Sequence, residues 1–88
     1  MSERQWRVYL LQCGDGSYYC GIAKDVKARL AEHAAGKGAK YTRGRGPLEL
    51  LAKSVKLSYS QALKAEHRIK GLKKEDKQKA VRRLRPVL

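Results

Sequence analysis

The chain reads as a small α/β fold of the α+β type, a three-stranded antiparallel sheet flanked by helices. Three observations predict it. Val8-Tyr9-Leu10-Leu11 and Tyr18-Tyr19-Cys20 are strand-forming runs on either side of Gly14-Asp15-Gly16, whose residues tolerate positive φ, so together they read as a hairpin. Two later stretches carry the apolar spacing and end signals of amphipathic helices. Between those helices, Leu48 to Leu57 is β-compatible and supplies a third strand.

The first strand is expected over Trp6–Gln12 and the second over Ser17–Ile22. Pairing Cys13 with Ser17 sets Leu11 opposite Tyr19 and makes Tyr9 and Tyr19 diagonal neighbours on one face. A slip of one residue would put them on opposite faces. Two tyrosines sharing a face suit an amphipathic core as well as a site, and the pattern alone leaves both open.

Asp25 is a good N-cap and Gly36 a good C′ residue, so a helix is expected over Val26–Ala35. Val26, Leu30 and Ala34 form its apolar stripe, with Arg29 and His33, four apart, along one edge. An arginine at such an edge is ordinarily a snorkelling surface residue. The preceding hairpin is nonetheless the nearest surface for the helix to pack on, which would bring both residues close to it. The segment from Gly36 to Pro47 follows, with Lys37, Lys40, Arg43 and Arg45 placed around Tyr41. It fits a solvated loop. It also fits a loop that grips a nucleic-acid backbone and offers one ring for base stacking, which the overall charge favours.

The third strand is expected over Leu48–Lys56. Ser58 and Gln61 form a capping box for a helix over Tyr59–Gly71, with Ala62, Ala65, Ile69 and Leu72 on its apolar face. Glu66 falls on the border of that face. It can pair with Lys70 in the favourable i,i+4 order, or it can be a metal ligand turned into a cleft. A basic third helix is expected over Glu75–Leu84, with acids at its start and arginines at its end, as the helix dipole prefers. It has no side-chain cap, and Pro86 ends it.

Composition bounds the function. The 88 residues carry 21 Lys+Arg against 8 Asp+Glu, a formal charge of +13. A chain of this length accommodates one domain, residues 1–88, burying roughly 60 to 65% of its unfolded surface. The charge points to a polyanion, nucleic acid before membrane, and no basic amphipathic helix with a large apolar face favours a membrane. No apolar run reaches a membrane span of roughly 18 residues, and MSERQWR lacks the apolar core of a signal peptide. The expected location is therefore the cytoplasm, with Cys13 and Cys20 reduced. The spacing of Cys13, Cys20, His33 and His67 does not match a structural zinc site.

These residues together resemble the GIY-YIG nuclease superfamily, in particular its small single-domain bacterial members. Arg7-Val8-Tyr9 stands where the family has Gly-Ile-Tyr, and Tyr19-Cys20-Gly21 where it has Tyr-Ile-Gly. Arg29 falls eight residues after that glycine, at the family's helix-borne arginine, and His33 where many members have histidine. Glu66 takes the place of the metal-binding glutamate. The resemblance runs from about Trp6 to Leu72, leaving a basic C-terminal helix over about 73–85. Two departures stand out: Arg7 replaces the first glycine of the family name, and the sequence has no asparagine to match the family's later one.

The resemblance implies that Tyr9, Tyr19, Arg29, His33 and Glu66 converge in a shallow cleft. There they would hydrolyse DNA phosphodiester bonds as an endonuclease, in DNA repair or processing. It implies both tyrosines as site residues and Glu66 as ligand to Mg²⁺ (or Mn²⁺); of the two, Tyr9 is assigned here as general base and Tyr19 as the partner orienting water or phosphate. A nearby cation would lower the Tyr9 pKa, and Arg29, a protonated His33 and the metal are the expected sources. The alternative is a non-catalytic module that keeps the fold and binds DNA or RNA.

Overall fold

The computed structural model describes residues 4–86. Strands β1 (Arg7–Gln12), β2 (Tyr18–Ala23) and β3 (Glu49–Lys53) form one antiparallel sheet in the order β2-β1-β3. Helices α1 (Val26–Ala34), α2 (Tyr59–Lys70) and α3 (Lys74–Arg83) complete it. The hairpin register is the expected one: Leu11 lies opposite Tyr19, and Cys13 takes the Ser17 carbonyl at 2.8 Å. Asp15 braces the turn by accepting from the Ser17 backbone N–H at 3.0 Å.

Because side chains alternate along a strand, β1 divides the molecule into two layers. Val8 and Leu10 point to one face, where Cys20, Ala52, Leu57, Ala62, Ala65, Ile69 and Val81 close an aliphatic core beneath α2 and α3. Tyr9 and Leu11 point to the other, joined by Ala23 and Val26 under α1. The Ser58–Gln61 capping box is present with both of its hydrogen bonds, and the Asp25 side chain caps α1 through the Ala28 N–H.

Three differences from the sequence reading stand out. β3 stops at Lys53 because Ser54 intervenes: its hydroxyl, at 2.9 Å, takes the Val8 N–H that a longer strand would have paired. Trp6 joins Leu57 through an isolated bridge outside the first strand. α3, expected as an appended basic helix, packs on the sheet instead, with Val81 and Leu84 in the aliphatic core. No helix among the described residues is long and apolar enough to cross a membrane.

Candidate active site

The site is organised around His33. The helical stripe placed His33 at an edge and Ala34 inside; the structure reverses them, with His33 2% exposed and Ala34 exposed. A buried imidazole needs partners for both nitrogens. Nε2 meets the Tyr9 hydroxyl at 2.8 Å, and Nδ1 meets the Thr42 hydroxyl, also at 2.8 Å. Thr42 donates its own proton to the Ala39 carbonyl at 2.9 Å. Its oxygen is thus left to accept from Nδ1–H, and Nε2 is left to accept from Tyr9. The Ala39 N–H donates toward the same nitrogen at 3.3 Å; the tautomer with Nδ1 protonated is assigned on the shorter Thr42 bond.

Glycine makes both approaches possible. A Cβ on Gly21, opposite Tyr9 in the sheet, would sit 2.5 Å from the Tyr9 hydroxyl. A Cβ on Gly38 would collide with the His33 ring. The loop therefore closes on His33 only because Gly38 has no side chain. The segment read from sequence as flexible is pinned from within: Lys40–Thr42 forms a 3₁₀ turn, and Thr42 is 2% exposed.

Tyr19 completes an aromatic cluster. Its ring lies 6.3 Å from Tyr9 and 5.3 Å, edge-on, from His33. Tyr41 stacks on it at 5.9 Å, and the Arg45 guanidinium lies 4.4 Å from the Tyr41 ring centre. Arg45 is also bound to Asp15 at 2.6 Å, tying the basic loop to the hairpin turn. Ser17 and this arginine hold the Asp15 carboxyl down to about 2. Of the expected phosphate-gripping side chains, Lys37, Lys40 and Arg43 stand exposed, whereas Tyr41 and Arg45 are engaged within the fold.

The electrostatics depart from the sequence expectation. Burial pushes the Tyr9 phenol up to about 12; Tyr19 and Glu66 add to the shift, while the neighbouring Arg29 pulls against it. Tyr19 is raised as well, first by burial and then by Glu66. His33 cannot serve as the expected cation: burial, aided by Arg29, lowers its pKa and keeps the ring neutral. Arg29 remains the one cation beside the phenols that favours their ionised form. It is partly exposed and also pairs with Glu32 at 3.5 Å.

Glu66 comes from the opposite layer. α2 underlies β2, the edge strand, and the carboxylate lies close enough to both phenols to raise their pKa values. Its side chain is 19% exposed and pairs with Lys70 at 3.8 Å. Among the described residues no group of three or more His, Cys, Asp or Glu could enclose a metal. One partly exposed carboxylate fits an ion that keeps most of its water, as Mg²⁺ does, better than one needing a protein cage. The exposed Lys70 is worth only about 0 to 1 kcal/mol to Glu66 and is readily displaced.

The structure thus brings the five expected site residues together and adds three that sequence reasoning missed as parts of the site: Thr42, Gly38, and Asp15, which ties the expected Arg45 to the hairpin turn. Thr42 and Gly38 lay in a Gly- and Lys-rich stretch with no periodicity to mark them.

Known proteins resemble this chain in sequence and in overall fold. The model of the GIY-YIG catalytic domain matches residues 5–80. The UPF0213 protein of Cupriavidus pinatubonensis is 59% identical over 64 residues, 73% of this chain and 71% of its own. That of Halalkalibacterium halodurans is 47% identical over 74 residues, covering 84% and 79%. The solution NMR structure of the UPF0213 protein BH0048 from Bacillus halodurans is 46% identical, covers 86% of this chain and 81% of its own, and superposes with a TM-score of 0.53. A solution NMR structure of an E. faecalis protein is 35% identical, covers 90% and 85%, and superposes with a TM-score of 0.58. With the GIY-YIG catalytic domain matching residues 5–80 and relatives of 46 to 59% identity covering most of its length, the chain belongs to the GIY-YIG family.

Proposed function

We propose that this protein is an endonuclease that hydrolyses DNA phosphodiester bonds with a divalent metal ion. The observation that carries the reading is the Tyr9–His33 hydrogen bond, 2.8 Å long, in a cluster shared with Tyr19, Arg29 and Glu66. Phosphodiester hydrolysis needs a deprotonated water, charge compensation at phosphorus and help for the leaving oxygen. Mg²⁺ (or Mn²⁺), held by Glu66 with water and phosphate oxygens in the rest of its shell, would supply Lewis-acid help.

The chain's own residues divide the remaining work. A phenol at about 12 exists as phenolate in only about one part in 10⁵ at pH 7. Tyr9 is therefore scarcely available as a free phenolate base at that pH. The neutral His33 changes this, because its Nε2 already accepts the Tyr9 proton. As Tyr9 takes a proton from the attacking water, its own passes to His33, and no isolated phenolate forms. Thr42 keeps Nδ1 as the donor and so keeps Nε2 open. Arg29 compensates the phosphate charge, and Tyr19 orients phosphate or water from the more open side of the cluster. Lys37, Lys40 and Arg43 hold the backbone beside the cleft.

The test is incubation with plasmid, branched and single-stranded DNA, with Mg²⁺ or Mn²⁺ and with chelator. Metal-dependent cleavage is expected. Tight binding without cleavage under every condition would instead assign the chain to the non-catalytic class.

A further inference from the structure

A groove lies away from the tyrosine cluster, between α2 and the end of α3. It encloses about 570 Å³ and is rimmed by Lys64, Arg68, Arg83 and Arg85. We infer that this groove is a second nucleic-acid contact, which takes the phosphate backbone of a segment other than the one held at the tyrosines. The inference rests on the nucleic-acid reading of the tyrosine face and extends it to the opposite face of the sheet.

Four cations crowd one groove, and none of its lining residues is acidic. The ion pairs among the described residues are Arg29–Glu32, Arg45–Asp15 and Lys70–Glu66, all outside it. Uncompensated like charges at close range repel one another, and a bound polyanion removes that cost. Arg85 turns its guanidinium onto the Arg82 and Leu84 carbonyls at 3.3 and 2.8 Å. Arg68 and Arg83 are then the exposed forks, with Lys64 one turn before Arg68 on α2, about 6 Å along the axis.

The floor decides between a nucleic acid and an acidic peptide. Leu57, Ala65 and Leu84 lie beneath the cations and are only 1%, 8% and 8% exposed. Those three side chains are largely committed to the core, so the floor offers a peptide little side-chain surface to anchor on, while the rim is cationic throughout. What it presents is planar guanidinium donors, which suit phosphate oxygens.

Position gives the consequence. The aliphatic layer under α2 and α3 separates the groove from Tyr9 and His33, which lie on the other side of β1. Two oppositely directed basic surfaces allow one molecule to hold two nucleic-acid segments at once.

The experiment uses the full chain with chelator present, so that nothing is cut. A short duplex fixed to beads is mixed with a labelled free duplex, with wild type or with Arg68→Gln/Arg83→Gln. Wild type should carry the labelled duplex onto the beads, and the double variant should carry at least about tenfold less while still binding one duplex. Its salt slope should be shallower by about 2, from two lost phosphate contacts. Both side chains are exposed, so the fold should survive, and an unchanged melting curve checks this; Lys64→Glu provides an independent second variant expected to weaken bridging. Equal bridging by wild type and the variants would overturn the inference. So would poly-glutamate binding that outcompetes duplex at the groove, which would assign it to an acidic protein. Metal-dependent cleavage by a wild type that never bridges would sink this inference and leave the nuclease reading standing. A wild type that binds no nucleic acid would sink both.

Discussion

Tyr9 and Leu10 are neighbours in β1, both almost wholly buried, and they serve opposite faces of the sheet. On Leu10's side, contacts are aliphatic and non-directional, and Val8, Leu57, Ile69 and Val81 fill space among hydrophobic neighbours. On Tyr9's side, the layer is held by directed bonds, from Tyr9 to His33, His33 to Thr42 and Thr42 to Ala39. A fold of this size cannot devote its whole interior to chemistry. It keeps one face for cohesion and lets the other carry polar groups whose burial is tolerated because each has a partner. Among the described residues no buried side-chain nitrogen or oxygen lacks one.

The largest effect of breaking this division should come from Glu66→Gln. It removes the carboxylate and leaves every cation in place, so cleavage should fall to background while DNA binding stays near normal or tightens. Were Glu66 only a partner for Lys70, the change would be worth roughly a few tenths of a kcal/mol, and cleavage at the wild-type rate would show it.

Next comes Tyr9→Phe. Losing general-base help should slow cleavage roughly 10²- to 10⁴-fold. It also strands the His33 Nε2 in the interior, so stability should drop by about 1 to 3 kcal/mol. Leu10→Ala should show the reverse pattern: a loss of about 2 to 5 kcal/mol from lost burial and cavity formation, with activity per folded molecule retained. Denaturant melts alongside single-turnover rates separate the two. If both variants lost stability and rate in the same proportion, the division between the faces would be wrong.

A smaller effect is expected from acid. Burial holds the folded pKa of His33 below its unfolded value of about 6.5. In the window beneath that value the unfolded chain binds more protons, so the His33 contribution is complete above about pH 6.5 and declines as pH falls. Melting temperature should therefore drop between about pH 7.5 and 5.5, and a flat profile would mean the ring is not held neutral. The smallest effect belongs to Lys40→Ala/Arg43→Ala, which should flatten the salt dependence of binding between about 50 and 200 mM without moving the melt. An unchanged slope would show that the loop does not grip the backbone.

Much of this arrangement was legible in the sequence, because local signals agreed with one another. The Gly14-Asp15-Gly16 turn fixed the register that brings Tyr9 and Tyr19 together, and Asp25 and Ser58 marked where two helices begin. The misreadings share a cause. Periodicity ranks residues by polarity, so His33 was set at an edge, although an imidazole bonded at both nitrogens can be buried. α3 is mostly charged, and the two core residues it brings, Val81 within it and Leu84 just past its end, are too few for a visible stripe. Thr42 is significant only through a bond to a residue nine positions away. The rise in the Tyr9 pKa depends on burial that no spacing reports.

The central claim, that Tyr9 and His33 act as one proton-holding pair, is tested most directly by the pH dependence of single-turnover cleavage. Wild type and Tyr9→Phe would be compared with Mg²⁺ from about pH 5 to 9. The wild-type rate should fall with acid, at a midpoint lower than that of a free imidazole, as His33 takes up its own proton and can no longer accept one from Tyr9, and it should level off above. Tyr9→Phe should be slower throughout and lack that acid limb. A Tyr9→Phe enzyme that cleaves at the wild-type rate with the same acid limb would reduce the pair to an ordinary buried hydrogen bond.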